Sequence, residues 1–218
     1  MDPAPLWISL KVASLATLIA SATGVGLAWL LATSRFRGRG IVEALTSLPL
    51  TLPPTVLGYY LLVLLGRGSR FGMWVEATFG VSLVFTWQGA VVAAAVPSLP
   101  LVVRTVRAAF ADVPTEILEA ARMDGAGRIQ QFVHVLVPLA QRGIVAGVSL
   151  GFARALGDFG TTLMVAGNIP GRTQTMPIAL YDAVQAGRWE MAATLAVLLA
   201  VVAVGVLIAV GRLGERVI

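Results

Sequence analysis

Five stretches of this chain are nearly unbroken runs of apolar residues, at about 6–33, 41–65, 81–103, 143–166 and 191–210. Each reaches the roughly 20 residues that a helix needs to cross the hydrocarbon core of a bilayer. Short polar connections separate them, and the pattern predicts an all-α, polytopic transmembrane helical bundle of about five spans. Residues 1–218 then form a single membrane domain. One connection is longer, a polar island at 104–142. Within it, Asp112-Val113-Pro114 reads as a helix start, because an aspartate cap and a first-turn proline both suit an N-terminus. Glu116 and Glu119 complement the positive end of that helix, and Ala120-Ala121 keep it slim. Gly125, followed by Gly127, supplies a stop and a permissive turn. A second short helix over 128–137 is expected to carry Ile129, Phe132, Val133 and Leu136 on one apolar face, with Pro138 closing it.

The spans are interrupted in informative ways. Pro49 and then Pro53-Pro54, with Gly58 beyond, require the second span to kink or break near its middle, since proline removes a donor and clashes with the preceding turn. Carbonyls freed at that depth are tolerated only inside protein or beside water, so Pro53-Pro54 mark either a packing kink or a pathway. Pro97 and Pro100 are expected to perturb the third span. Gly143, Gly147, Gly151 and Ala155 recur every four residues and predict close helix packing, within the subunit or across a dimer axis. Arg154 and Asp158, one turn apart on the fourth span, are costly at membrane depth. They form either a mutually neutralising pair or an anion route, with Arg154 attracting and Asp158 limiting retention. Thr161 and Thr162 follow, as hydroxyl donors to an oxyanion or as back-bonds to their own helix.

Composition then removes whole classes of function. Apolar residues make up 57% of the chain and charged residues 12%, with a mean hydropathy of +0.86, outside the soluble globular range. No cysteine is present, so thiolate metal sites and nucleophiles are excluded, and the lone His134 makes no metal centre. The net charge of +5 sits in short arginine clusters beside apolar runs, which is the signature of membrane topology rather than of nucleic-acid binding. Arg35, Arg37, Arg39, Arg104, Arg107, Arg122, Arg128, Arg142, Arg212 and Arg216 outnumber Lys11, Arg67, Arg70, Arg172 and Arg188 by ten to five. That bias predicts an outer N-terminus, with the island and the C-terminus in the cytoplasm. The opening residues carry no positive n-region, and the apolar run behind them is too long for a signal peptide, so a retained first span is expected. Lys11, flanked by Leu10 and Val12, is the chain's one lysine and is expected to snorkel outward. A G-x-x-x-x-G-K-[ST] phosphate loop is therefore impossible, and any nucleotide-driven step needs another subunit.

The island carries a resemblance. Glu119-Ala120-Ala121, then Gly125, nine residues, and Val135-Leu136-Val137-Pro138 are similar to the E-A-A-x-x-x-G, nine residues, I-x-L-P motif of permease subunits of binding-protein-dependent ABC importers. The departures (Val135 for Ile and Val137 for Leu) keep apolar character. The resemblance implies that residues 112–138 dock in a cleft of an ATPase subunit, with Glu119, Ala120, Ala121, Asp124, Gly125, Val135 and Pro138 coupling its closure to the spans. Over nearly the whole chain, the residues Leu48-Pro49-Leu50-Thr51-Leu52-Pro53-Pro54, Ala153-Arg154-Ala155-Leu156-Gly157-Asp158-Phe159-Gly160 and Gly167-Asn168-Ile169-Pro170-Gly171 resemble the molybdate-importer subfamily, in which position 158 is commonly Glu.

By that resemblance the chain is a bacterial inner-membrane permease moving a tetrahedral oxyanion, molybdate, into the cytoplasm. It pairs with a second copy, with two ATPase subunits that bind ATP and Mg, and with a periplasmic or lipid-anchored oxyanion-binding protein. The chain itself holds no cofactor and meets lipid, not nucleic acid. Sulfate or tungstate as cargo, an ATPase-independent secondary transporter or channel, and a structural anchor are the rival readings. Pathway residues are expected among Pro53, Pro54, Arg154, Asp158, Thr161 and Thr162. Outward donors for docking or gating are expected from Asn168, Arg172, Thr173 and Gln174, or these line an ordinary solvated loop. Pro177 is expected to open a short helix bearing Ile178, Tyr181 and Val184.

Overall fold

The computed structural model describes the backbone of residues 2–34 and 36–216, and the side chains of these residues except 210 and 212–216. Arg35, Arg212 and Arg216, counted above for topology, thus lie outside the described residues or side chains. The described chain is helical, in eleven segments: α1 Ala4–Thr33, α2 Arg39–Thr51, α3 Pro54–Leu65, α4 Arg70–Phe79, α5 Trp87–Ala111, α6 Thr115–Met123, α7 Arg128–Leu139, α8 Gln141–Leu156, α9 Gly160–Ala166, α10 Met176–Gln185 and α11 Trp189–Arg216. Three are long and apolar enough to cross a membrane on their own, and five crossings result if each bent helix pair counts as one.

Two apolar clusters set the arrangement. Toward one end Ile8, Val12 and Ala16 of α1 meet Ala90, Val91 and Ala94 of α5 with Ala155 and Leu156 of α8. Toward the other, Ala20, Ala28 and Leu31 of α1 meet Val102, Val106 and Phe110 of α5, and Leu136 and Ala140 join them from the island. Helices α1 and α5 therefore run parallel and in step, with α8 antiparallel to both. Helix α5 is the central strut, with 67% of its apolar window buried against 11% for α11. The glycine stripe explains how the helices come so close. A Cβ at Gly151 would lie 2.8 Å from Val102 Cγ2 and one at Gly147 3.0 Å from Val106 Cγ2. The partner of the Gly143–Gly151 stripe is thus α5 of the same chain.

The second apolar stretch breaks at Leu52-Pro53, as its prolines predict: it is two helices, α2 and α3, bent by 116° where proline cannot continue the ladder. Pro49 itself lies inside α2. Other expectations are corrected. The fourth stretch breaks at residues 157–159 between α8 and α9, and α8 meets α7 at a 77° bend. The third span starts later and runs further than expected, to Ala111, with Pro97 and Pro100 inside a continuous helix. Helix α4 was not expected at all. Its signals are local: Ser69 accepts a hydrogen bond from the Gly72 N–H at 2.8 Å, and Gly80 ends the helix at φ 66°. Arg67 clasps it by two bonds to Glu76, and that hydrogen bonding holds the Glu76 carboxyl below its ordinary pKa.

Candidate coupling surface and translocation elements

The island folds into a compact helix–turn–helix. Asp112 does not cap it; Asp112 closes α5, and α6 begins at Thr115 behind Pro114, whose extended ψ of 130° turns the chain. Helix α6 ends in a Schellman motif. Gly125 sits at φ 87°, its N–H donates to the Arg122 carbonyl at 3.0 Å, and the Ala126 N–H donates to the Ala121 carbonyl at 2.9 Å. The glycine of the E-A-A-x-x-x-G spacing is thus the residue that can adopt the left-handed turn. Buried Gln131 rivets the next helix to that turn, donating from Nε2 to the Ala126 carbonyl at 2.7 Å and accepting from Arg122 Nε at 3.3 Å.

Helix α7 departs from a regular repeat. Phe132–Leu136 forms a π turn, with the Val137 N–H donating to the Phe132 carbonyl. The extra residue in the turn lets Pro138 follow inside the helix, which continues to Leu139, so Pro138 does not close it. The expected single apolar face also splits. Phe132 and Leu136 turn inward, whereas Ile129 is 71% and Val133 49% exposed. The Phe132 ring lies 4.5 Å from that of Trp29 on α1 and 6.1 Å, edge-on, from that of Phe110 on α5. One side chain thereby joins the island to both long struts. No sequence pattern marked Phe132 for this role, since its partners are distant in the chain.

Glu119, Ala120, Asp124, Gly125 and Pro138 are exposed, Ala121 and Val135 half-buried. Glu119 makes no ion pair among the described residues. Ile117, Met123, Ile129 and Val133 are exposed on the same two helices, so among the described residues α6 and α7 carry exposed apolar side chains beside Glu119 and Asp124 on the one hand and Arg122 and Arg128 on the other. Nearby, Glu43 of α2 bonds Arg39 at 3.1 Å and Arg107 of α5 at 2.9 Å. Helix α2 buries none of its own residues fully, and it is tied to the bundle by the Glu43–Arg107 bond and by Val42, which packs on the second apolar cluster.

A second constellation surrounds the α8–α9 break. Asp158, 2% exposed, accepts from the Thr162 N–H at 2.9 Å and its hydroxyl at 2.7 Å, which caps α9. Its other oxygen accepts from Arg154 Nη1 at 3.0 Å. Thr161 is fully buried and donates to the Pro54 carbonyl at 3.4 Å. Neither Thr161 nor Thr162 therefore offers a free hydroxyl to an anion, and Asp158 is a buried cap. Of the residues expected to line a pathway, Arg154 retains partial exposure, at 28% of its side chain, and Pro53-Pro54 form an exposed elbow. The elbow rests on α9, for a Cβ at Gly58 would lie 2.7 Å from Met164 Cβ and 3.1 Å from Thr161 Cα. Gly58→Ala is expected to destabilise the fold by about 1–3 kcal/mol through overpacking, read as a lowered melting temperature of the purified protein.

The loop before α10 is corrected in part. Thr173 and Gln174 point inward: Thr173 accepts from the Ile169 N–H at 3.1 Å and Gln174 donates to Asn168 Oδ1 at 2.8 Å. Asn168 and Arg172 remain exposed. Pro177 does open α10, but the buried face is Met176, Ile178, Ala179 and Ala183, with Tyr181 and Val184 outward.

Comparison with known proteins places this arrangement. A family model described as the binding-protein-dependent transport system inner membrane component matches residues 24–218. The molybdenum transport system permease protein ModB of Escherichia coli (strain K12) is 46% identical over 178 residues, covering 82% of this chain and 78% of that protein. The sulfate transport system permease protein CysT of the same strain is 34% identical over 209 residues, covering 96% and 75%. Among solved structures, an inward-facing conformation of the MetNI methionine ABC transporter superposes with a TM-score of 0.78 at 21% identity, covering 98% of this chain and 94% of that one. At that identity the likeness speaks for the fold alone.

Proposed function

Because the chain belongs to the family of binding-protein-dependent transport system inner membrane components, multi-pass membrane permeases, we propose that it forms the translocation path of an ATP-driven molybdate importer. The observation that carries the cargo is the 46% identity to a molybdenum permease against 34% to a sulfate permease. Two copies would enclose the route. Two ATPase subunits would bind ATP and Mg, chemistry this chain cannot supply because its one lysine lies outside any phosphate loop. A binding protein would deliver the anion on the side away from the island, with the N-terminus on that side and the C-terminus in the cytoplasm.

Mechanically, ATPase closure would move α6 and α7 as one body, since Gln131 and the Schellman turn join them. The displacement would reach α1 and α5 through Phe132, and α8 through its 77° bend with α7. Arg154 would supply positive potential near the route, with its charge moderated by Asp158. Few charges line the spans, which suits weak contact and release of a dianion rather than storage.

Competition uptake by the assembled transporter tests the cargo: unlabelled molybdate should displace labelled molybdate at far lower concentration than sulfate does. Preference for sulfate would replace this reading with the sulfate one, and anion flux through the chain alone without ATP would replace it with a secondary transporter.

A further inference from the structure

At the end of the bundle away from the island, α1, the start of α5 and the turn before α10 enclose a recess of about 480 Å³. Lys11 and Arg172 both line it, with Trp7, Trp87 and Gln88, and no carboxylate among the described residues does. The Lys11 ammonium lies 3.4 Å from the centre of the Trp87 ring, which fixes the cation by its π face but does not neutralise it. Neither Lys11 nor Arg172 forms an ion pair among the described residues. Of the carboxylates at this end, Glu76 is engaged by Arg67 and Asp182 by Arg188, and Asp2 accepts from the Ala4 N–H at 2.9 Å. Neither Asp2 nor Glu190 lines the recess or pairs with Lys11 or Arg172 among the described residues. Two uncompensated cations facing one cavity repel each other and lack a counter-charge, an arrangement that an anion relieves.

We infer that this recess binds one tetrahedral oxyanion group, held by the Lys11 ammonium, the Arg172 guanidinium and the Gln88 amide. The chemistry is shared by the phosphate of a membrane lipid and by a free oxyanion. A lipid source suits Trp7, which is 69% exposed beside the recess, as a side chain that settles at headgroup depth. Arg154 does not line the recess, so the site is separate from the Arg154–Asp158 pair and stands whichever anion the transporter carries.

The test uses the full chain assembled with its ATPase subunits in detergent. Native mass spectrometry counts phosphatidylglycerol retained per chain, and equilibrium dialysis measures inorganic phosphate bound. Wild type is expected to hold one of these probes per chain with an affinity at least about tenfold above that of the Lys11→Gln/Arg172→Gln double variant, as loss of charge-assisted bonds requires. Lys11→Arg should restore binding, and Arg172→Gln alone, on an exposed turn, should weaken it without affecting assembly. Retention of the lipid identifies the headgroup as the source, and saturable phosphate identifies the free anion. Equal binding of both probes by wild type and double variant overturns the inference. So does a double variant that loses affinity only for the binding protein.

Discussion

Uptake should fall below detection when Glu119 is replaced by lysine or Gly125 by proline, while the protein still inserts in the membrane. Glu119 is exposed on α6 and makes no ion pair among the described residues, so its charge is available to a partner. Losing a hydrogen-bonded charge at an interface costs about 2–5 kcal/mol, which is roughly 30- to several-thousandfold in affinity, and reversal adds repulsion. At Gly125 the argument is backbone geometry. Proline holds φ near −65° and has no N–H, whereas this position needs φ 87° and a bond to the Arg122 carbonyl. The α6–α7 turn would reopen and Gln131 would lose its seat on the Ala126 carbonyl. Gly125→Ala should act more mildly, costing about 1–2 kcal/mol for the left-handed conformation. Uptake of labelled anion, membrane abundance and co-purification of the ATPase check all three variants together. Normal uptake in Glu119→Lys would remove α6 from the coupling path.

The features legible beforehand are those whose causes are local. The Schellman turn at Gly125 depends on a few consecutive residues, and the break after Leu52 follows from Pro53 alone. The helix α4 and the break at 157–159 also had local signals, Ser69 with Gly80, and Gly157-Asp158 before Gly160. At 157–159 the surrounding apolar run masked them, because hydropathy averages over a window longer than the break. Helix α4 instead lies between two runs and is too short to register as a membrane span. What could not be read was tertiary. The glycine stripe announced a close neighbour, but only packing shows that the neighbour is α5 through Val102 and Val106. The inward turn of Phe132 beside outward Val133 depends on a π turn that shifts the helical register, and on Trp29 and Phe110. The burial of Thr161 and Thr162 has the same origin. On an unbroken helix their hydroxyls would face an oxyanion or bond back to their own backbone, and the break instead folds Asp158 and Pro54 onto them.

That break carries the second large effect. Asp158→Ala is expected to destabilise the permease by about 2–4 kcal/mol, because it removes the buried member of a part-buried ion pair and the cap of α9 at once. The carboxylate is 2% exposed and serves three donors: Arg154 Nη1 and the Thr162 N–H and hydroxyl. For a chain of this size the melting temperature should drop on the order of 10 °C. Asp158→Asn keeps an acceptor for Thr162 but loses the charge opposite Arg154, so it should fall between. Asp158→Glu preserves charge and should be tolerated best. The Arg154→Ala/Asp158→Ala double variant should lose less than the sum of the single changes, because the pair is removed together. The same series separates the two roles open to the pair. A structural cap predicts that melting temperature and uptake decline in parallel across the four variants. If Asp158→Ala keeps its melting temperature and loses uptake, the carboxylate acts on the anion during passage, and the buried geometry describes only one state of the transport cycle.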